Sequence, residues 1–428
     1  MDISLNYGKT QLVVTLPDDL EVRVIRKPDM PLLDDPVATL EASFAKPDGG
    51  PNLAYLARKA QTACILICDI TRPVPNSVLL PPLLRALLAA GLGRENIVIL
   101  VATGLHRPNE DEELAELVGD PWVMENFAVV NHFARDDASH VSLGRTRSGT
   151  KVMLDKRFVE ADLRIATGLV EPHFMAGWSG GRKVIAPGVA HAETITTFHS
   201  ARFMEHPNCA NCVLDGNPLH DEQLEIIAML GCVSAINVVI NEDRRISMIN
   251  FGEVVKSHMA AVDHVRTYAE VPMPERFSTV ITSAAGYPLD KTYYQTVKGM
   301  VGPLDILKPG GTLVIASACS EGMGSAEYIT SQRNLMNMGA DRFLKHIESK
   351  SHAAVDEWQT EMLLKPLRSG QVVLYTEGLT EEELSLTAVK PTTSIDQAIV
   401  AAVADANDKR IAVIPEGPYV VPRYRPGI

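Results

Sequence analysis

One pattern governs what this chain can become: short apolar runs, each followed by polar or glycine-bearing residues and then by a helical stretch. Cys64–Cys68 (CILIC), Ile97–Val101 (IVILV) and Leu163–Ala166 (LRIA) read as buried strands, with helices expected over Ser77–Ala90 and Glu110–Leu117. That alternation implies an α/β architecture with mostly parallel strands. Val238–Asn241 and Arg245–Ile249 read as a hairpin around Glu242 and Asp243. Two prolines punctuate the chain at Val271–Glu275 (VPMPE), a break signal. The alternation then restarts with Thr279–Thr282, a helix from Asp290, Leu313–Ala316 and Val372–Tyr375. Ser394-Ile-Asp-Gln397 has the form of a capping box opening a helix to Ala406, and Arg410–Ile414 reads as a last strand. The expectation is two α/β domains, residues 1–270 and 271–408, with the tail 409–428 packing back on the first.

At 428 residues the chain can bury a core in each of two such domains. It holds no uninterrupted apolar stretch of about 18 residues, the rough minimum for a membrane span. The richest run, Ser77–Leu92, is broken by Pro81, Pro82 and Arg85. The first residues lack a basic start followed by an apolar run, so a cytoplasmic location is expected. A net charge of −13 with no basic run argues against a nucleic-acid partner. It does not argue against a small anion, because a few local cations can dominate one pocket. Cys64, Cys68, Cys232 and Cys319 sit in apolar segments and read as buried reduced thiols. Cys209 and Cys212 form a lone CxxC near His206, without the second half that a structural zinc site requires; a turn is the plainer reading.

The residues able to do chemistry gather just after the strands. Asp69, Thr71 and Arg72 follow the first, and Thr103, Gly104, His106 and Arg107 the second; Glu171, His173 and a glycine-rich loop follow the third. Ligands of open parallel sheets bind outside the carboxyl ends of the strands, so three loops aim at one crevice. The segment Gly177-Trp-Ser-Gly-Gly-Arg-Lys183 could present backbone N–H groups to an anion. It fails as an ATP-type phosphate loop, which needs Gly before the Lys and Ser or Thr after it; Arg182 and Val184 stand there instead. A mononucleotide phosphate and a purely structural glycine turn both remain open. Lys183, if buried, could serve as a nucleophile or covalent anchor. His199 offers an imidazole suited to nickel, copper, iron or zinc. Gln295 and Lys298, three apart near the start of a helix, could grip a carboxylate or form a solvated face.

Five segments together resemble the nickel-pincer nucleotide lactate racemase family over nearly the full length. They are Asp69-Ile-Thr-Arg72-Pro73, Thr103-Gly-Leu-His106-Arg-Pro108, Glu171-Pro-His173 through Ser179-Gly-Gly-Arg-Lys183 to Pro187-Gly188, Thr194-Ile195 with His199, and Gly286-Tyr-Pro-Leu-Asp290 running to Gln295 and Lys298-Gly-Met300. Trp358 falls where that family keeps an active-site tryptophan. The resemblance implies a racemase of a small, lactate-like 2-hydroxy acid. Its cofactor would be nickel(II) pyridinium-3-thioamide-5-thiocarboxylic acid mononucleotide, covalently attached at Lys183 and held by Asp69, Ser179, Gly180 and Gly181. His199 would ligate the nickel, completing the square-planar site that nickel(II) prefers. His106 and His173 would be the two catalytic bases, and Arg72, Gln295, Lys298 and Trp358 would bind substrate.

The resemblance further implies reversible hydride transfer to the cofactor through a 2-keto acid, an active site in the cleft between the domains, and separate proteins that synthesise the cofactor. On this basis residues 1–270 would be the cofactor-binding, catalytic domain, and residues 271–408 would contribute carboxylate-binding groups. One rival applies the same chemistry to malate, a longer aliphatic or aromatic hydroxy acid, or a sugar acid, with Trp178, Arg182 and His191 as candidates for substrate tuning. A rival of another class is a non-catalytic small-anion binder, which would use the glycine loop, Arg72 and Lys298 but has no need of three histidines. An NAD-dependent dehydrogenase is disfavoured because no G-x-G-x-x-G joins the first strand to its helix.

Overall fold

A computed structural model describes residues 1–427. The chain forms two compact units: a central one, Asp29–Phe198 with Val213–Arg266, and a terminal one, Met1–Pro28 with His199–Cys212 and the chain from Thr267 onward. Each is organised on a six-stranded sheet.

In the central unit the strand order is Ile246–Glu253, Ser234–Ile240, Leu163–Leu169, Ala63–Cys68, Ile97–Ala102, Ala128–Asn131. All pairings are parallel except the outer Ser234–Ile240/Ile246–Glu253 hairpin, which is antiparallel. Ile65, Ile67, Ile99, Val101 and Ile165 lie in the buried core with Leu79, Leu80, Leu83, Leu84 and Leu87 of the Asn76–Ala89 helix. Those leucines recur at helical spacing, so one face of the helix is committed to the sheet. The chain moves outward from Ala63–Cys68 to Ala128–Asn131, then returns to place Leu163–Leu169 on the other side of the first strand. Strand order therefore reverses between Ala63–Cys68 and Leu163–Leu169, where the two following loops diverge and leave a crevice.

The terminal sheet runs Lys390–Thr392, Gly370–Tyr375, Leu307–Ala316, Phe277–Ser283, Arg410–Ile414, Glu21–Val24, and every pairing is parallel. Its reversal lies between Phe277–Ser283 and Arg410–Ile414. Leu5, Val14 and Leu16 of the Asp2–Tyr7/Thr10–Thr15 hairpin region pack into the same core as Ile281, Val314, Val373 and Val413.

The expected α/β class with mostly parallel sheets is what the chain forms. The division differs from a single cut after residue 270. The first 28 residues belong to the terminal unit because Glu21–Val24 hydrogen-bonds to Arg410–Ile414 and the hairpin supplies apolar side chains. The tail thus stays in its own sheet, and the N-terminus joins it there. His199–Cys212 also belongs to the terminal unit, tied by Lys365 Nζ to the Cys209 carbonyl at 2.7 Å and by the Arg368–Glu205 ion pair. The proline-punctuated VPMPE segment contains a strand, Glu270–Met273, paired with Val421–Tyr424. Prolines are tolerated there because a two-stranded ribbon leaves one edge of each strand unpaired. Ser394 caps the Ile395–Ala406 helix through the Gln397 N–H, whereas the reciprocal capping box belongs to Thr380 and Glu383. Cys232 is exposed, not buried, because it lies past the end of the Pro218–Leu230 helix.

Candidate active site

The crevice of the central sheet is lined by the loops after Ala63–Cys68, Ile97–Ala102 and Leu163–Leu169. Asp69 is 5% exposed and sits 2.5 Å from Nδ1 of His106. Its other oxygen accepts the Thr71 hydroxyl at 2.5 Å. Burial acts to raise the Asp69 carboxyl, but the hydrogen bond and charge of His106, with Thr71 and Arg72, outweigh it and hold the group below its ordinary value. Arg72 donates from Nη1 to Glu171 Oε1 at 2.7 Å, so the loops on either side of the reversal are joined by an ion pair.

The third loop is fixed in detail. Pro172–His173 and Gly177–Trp178 form a two-residue ladder. Nδ1 of the buried His173 accepts the Met175 and Ala176 N–H groups at 3.3 and 3.1 Å. Asn217 Nδ2 donates to the Met175 carbonyl at 2.8 Å, and Arg182 Nη2 to the Ala176 carbonyl at 3.1 Å.

Lys183 follows that loop in the short Arg182–Ile185 helix. Among the described residues its amine has neither a hydrogen-bond partner nor a salt bridge. Burial first, then the nearby charges of Arg72 and Arg182, lowers it to about 7. A lysine in that state presents a neutral, nucleophilic amine near physiological pH.

The glycine-rich loop is held by hydrogen bonds within the protein. Ser179 Oγ donates to the Leu169 carbonyl at 2.7 Å and accepts the Glu171 N–H at 3.0 Å. The Ser179 N–H bonds the Glu171 carbonyl, and the Gly181 N–H bonds Asn237 Oδ1 at 3.1 Å. These donors are already engaged, and a helix of four residues adds no useful dipole. The glycines serve close packing: both have positive φ, and a Cβ on Gly180 would lie 2.6 Å from Val170, one on Gly181 2.8 Å from His258. Ser179, Gly180 and Gly181 thus pack closely against the chain, which accounts for the glycines; the anion-binding role expected of the three is a proposal about the bound cofactor.

Trp178 and Arg182, candidates for substrate tuning, are 0% and 1% exposed. Arg182 Nη1 lies 3.0 Å from His258 Nε2, and burial lowers the guanidinium to about 9; it braces the loop from inside. His191 pairs with Asp137 at 2.8 Å. Asn237 and His258 are supports that motif reading missed. A lone amide inside the apolar run Ser234–Ile240 was the available signal for Asn237.

In the terminal unit, His199 is 7% exposed and its ring centroid lies 5.0 Å from that of Trp358. Trp358 Nε1 donates to the Tyr294 hydroxyl at 3.4 Å. Thr292 caps the Tyr293–Val301 helix, which begins three residues after Asp290 and carries Gln295 and Lys298. Among the described residues, Gln295 Oε1 is buried without a hydrogen-bond partner. Asp290 accepts the Gly8 and Ala318 N–H groups at 2.6 and 3.1 Å, a structural pin. Among the described residues no cluster of three or more His, Cys, Asp or Glu could hold a metal ion, the Cys209–Cys212 turn included. No helix among them is long and apolar enough to cross a membrane.

Two doubly wound parallel sheets, with a partnerless lysine and a carboxylate–histidine pair at one reversal of strand order, define an α/β protein of the ligand-at-the-switch-point class. Residues 7–211 match the family described as the lactate racemase N-terminal domain, and residues 274–421 the lactate racemase C-terminal domain. The lactate racemase of Thermoanaerobacterium thermosaccharolyticum is 32% identical, over 99% of this chain and 100% of that protein. The lactate racemase of Lactiplantibacillus plantarum is 32% identical over 89% of each. The solved apoprotein from T. thermosaccharolyticum superposes with a TM-score of 0.90, covering 99% of this chain and all of that one. A Thermotoga maritima protein at 16% identity and a TM-score of 0.65, covering 88% and 99%, shares the fold. The chain belongs to the lactate racemase family and is an isomerase.

Proposed function

We propose that this protein racemises lactate with a nickel-pincer nucleotide bound covalently at Lys183. The observation that carries the reading is the Lys183 amine, set beside the strand-order reversal without a partner and lowered to about 7. Such an amine suits a thioamide anchor, since acyl transfer needs the neutral form. His199 is offered as the nickel ligand: with no cluster of protein donors among the described residues, the fit is to a metal that brings its other donors. Asp69 would serve the cofactor only indirectly, being committed to His106 and Thr71. When bound, the cofactor supplies a site that accepts the substrate's α-hydrogen with its electron pair and gives it back.

The chain's own residues would do the rest. Lys298 and Gln295, whose Oε1 has no hydrogen-bond partner among the described residues, would hold the carboxylate, with Arg72 contributing its positive charge. Trp358, whose ring lies tilted against that of His199, would form an apolar wall for the small side chain. His106 and His173 would manage the hydroxyl proton. A fixed carboxylate lets the intermediate 2-keto acid turn over without escaping.

The test is incubation of the cofactor-loaded enzyme with L-lactate in D2O, followed by chiral chromatography and mass spectrometry. D-lactate should form with hydrogen, not deuterium, at the α-carbon. Extensive α-deuteration would replace the proposal with a carbanion route, and turnover of malate in preference to lactate would reassign the substrate.

A further inference from the structure

We propose that Glu361 and Lys365 form a proton-controlled latch that seats the segment His199–Cys212 on the helix Glu357–Ser369. Both parts belong to the terminal unit. The latch stands whether or not His199 ligates nickel.

Trp358, Glu361, Lys365 and Arg368 follow one another at helical spacing and form one stripe along the helix. Three of them grip the segment. The Trp358 ring centroid lies 5.0 Å from that of His199, Lys365 Nζ donates to the Cys209 carbonyl at 2.7 Å, and Arg368 pairs with Glu205 at 2.7 Å. The remaining member grips nothing. Glu361 is 1% exposed, and among the described residues its Oε1 has no hydrogen-bond partner and its carboxyl no ion pair.

A glutamate one turn before a lysine is the favoured order for an ion pair within a helix. Here that pair is not made, and the ammonium goes to the Cys209 carbonyl instead. A carboxylate left alone in such a place is costly, whereas the neutral acid is tolerated. Burial first, then the charge of Glu205, with Glu357 adding to it, pushes Glu361 well above its ordinary value; Lys365 and Arg368 pull the other way and lose. Of the other elements packed on this helix, Tyr293–Val301 carries Lys298, Ala326–Met338 carries Glu327 and Arg333, and Leu307–Ala316 carries Lys308; none bears on Glu361 as strongly as burial and Glu205. Burial holds the Tyr293 and Tyr328 phenols far above their ordinary value and the Cys209 thiol up at about 12, so these stay neutral.

With the proton on Glu361, Lys365 is available to the Cys209 carbonyl and the segment is seated. When that proton passes to solvent, the carboxylate draws Lys365 back along its own helix, and the carbonyl loses its donor. The seated form therefore holds the proton more tightly than the released form. Seating weakens as pH rises above the ordinary carboxylate value of 4.5. Because His199 opens the segment, its place against Trp358 follows the proton on Glu361.

Thiol labelling of the full chain reads the latch at Cys209, which is 0% exposed when the segment is seated. Modification by N-ethylmaleimide is followed by peptide mass spectrometry from about pH 5.5 to about pH 8, above the ordinary carboxylate range. Each wild-type rate is divided by that of E361Q at the same pH, which cancels the titration of the thiol itself. The ratio should climb with pH, because glutamine keeps the shape of the neutral acid and cannot ionise. At the acid end K365M should label about tenfold faster than wild type, the scale of one charge-assisted hydrogen bond. A ratio that stays flat would leave Glu361 a merely structural residue and overturn the proposal, as would a Cys209 rate indifferent to K365M. If E361Q does not fold, E361M takes its place as the reference that cannot ionise.

Discussion

The two sheets reverse their strand order in the same way, yet the reversals are filled differently. In the terminal unit the chain fills its own. The Asn6 N–H bonds the Pro415 carbonyl, the Ser283 hydroxyl bonds the same carbonyl, and the Tyr287 N–H bonds Gly8. Asp290 accepts the Gly8 N–H, and Gly417 approaches so closely that a Cβ there would lie 2.0 Å from the Ser283 oxygen. In the central unit the equivalent place holds the Lys183 amine without a partner, an aspartate–histidine pair and a buried histidine whose inner nitrogen is already occupied. A reversal of strand order offers a crevice, and it becomes a site only where the chain leaves polar groups unsatisfied. The residues proposed above for the carboxylate, Gln295 and Lys298, lie in the terminal unit on the helix Tyr293–Val301.

That contrast can be broken from either side. The largest effect belongs to Lys183→Ala, which should abolish racemisation while leaving urea unfolding cooperative, because the amine makes no contact the fold needs; a misfolded variant would show that it does. Asp290→Ala removes an acceptor from two backbone N–H groups and should destabilise the protein by about 3 kcal/mol, read as a shift in urea midpoint. Gly181→Ala must adopt a positive φ and displace His258, for a loss of about 2 kcal/mol by the same assay.

The pH dependence has a definite sign. Lys183 stands at about 7 when folded against 10.5 when unfolded, so between those values the unfolded chain holds the extra proton. Stability from this group therefore rises with pH through that window. The stability of wild type relative to Lys183→Met should increase from pH 7 toward 10.5, and a flat difference would mean the amine is not desolvated. The smallest expected effect is that of Gln295→Leu, about a fivefold rise in KM with kcat nearly kept, since one neutral hydrogen bond to substrate is at stake.

Much of the framework was legible because local pattern and tertiary structure agree. CILIC, IVILV and the Ser77–Ala90 helix are buried by the same sheet, and their periodicity says so. The crevice was legible too, since the polar residues follow the strands directly. What escaped was non-local. Nothing in the opening residues announces that Glu21–Val24 will pair with a strand near residue 411, because a parallel pairing across nearly the whole chain leaves no turn signal. The packing role of Gly180 and Gly181 was hidden for a related reason. Glycines that admit a ligand and glycines that admit Val170 and His258 look alike until the partners are placed.

The most direct test of the account is the intact mass of the protein purified from cells that make the cofactor, with the modified peptide sequenced and nickel measured in parallel. The account predicts a mass increment confined to Lys183, with about one nickel per chain. It also predicts that His199→Ala retains the increment and loses the metal. An unmodified Lys183 in an actively racemising preparation would contradict it.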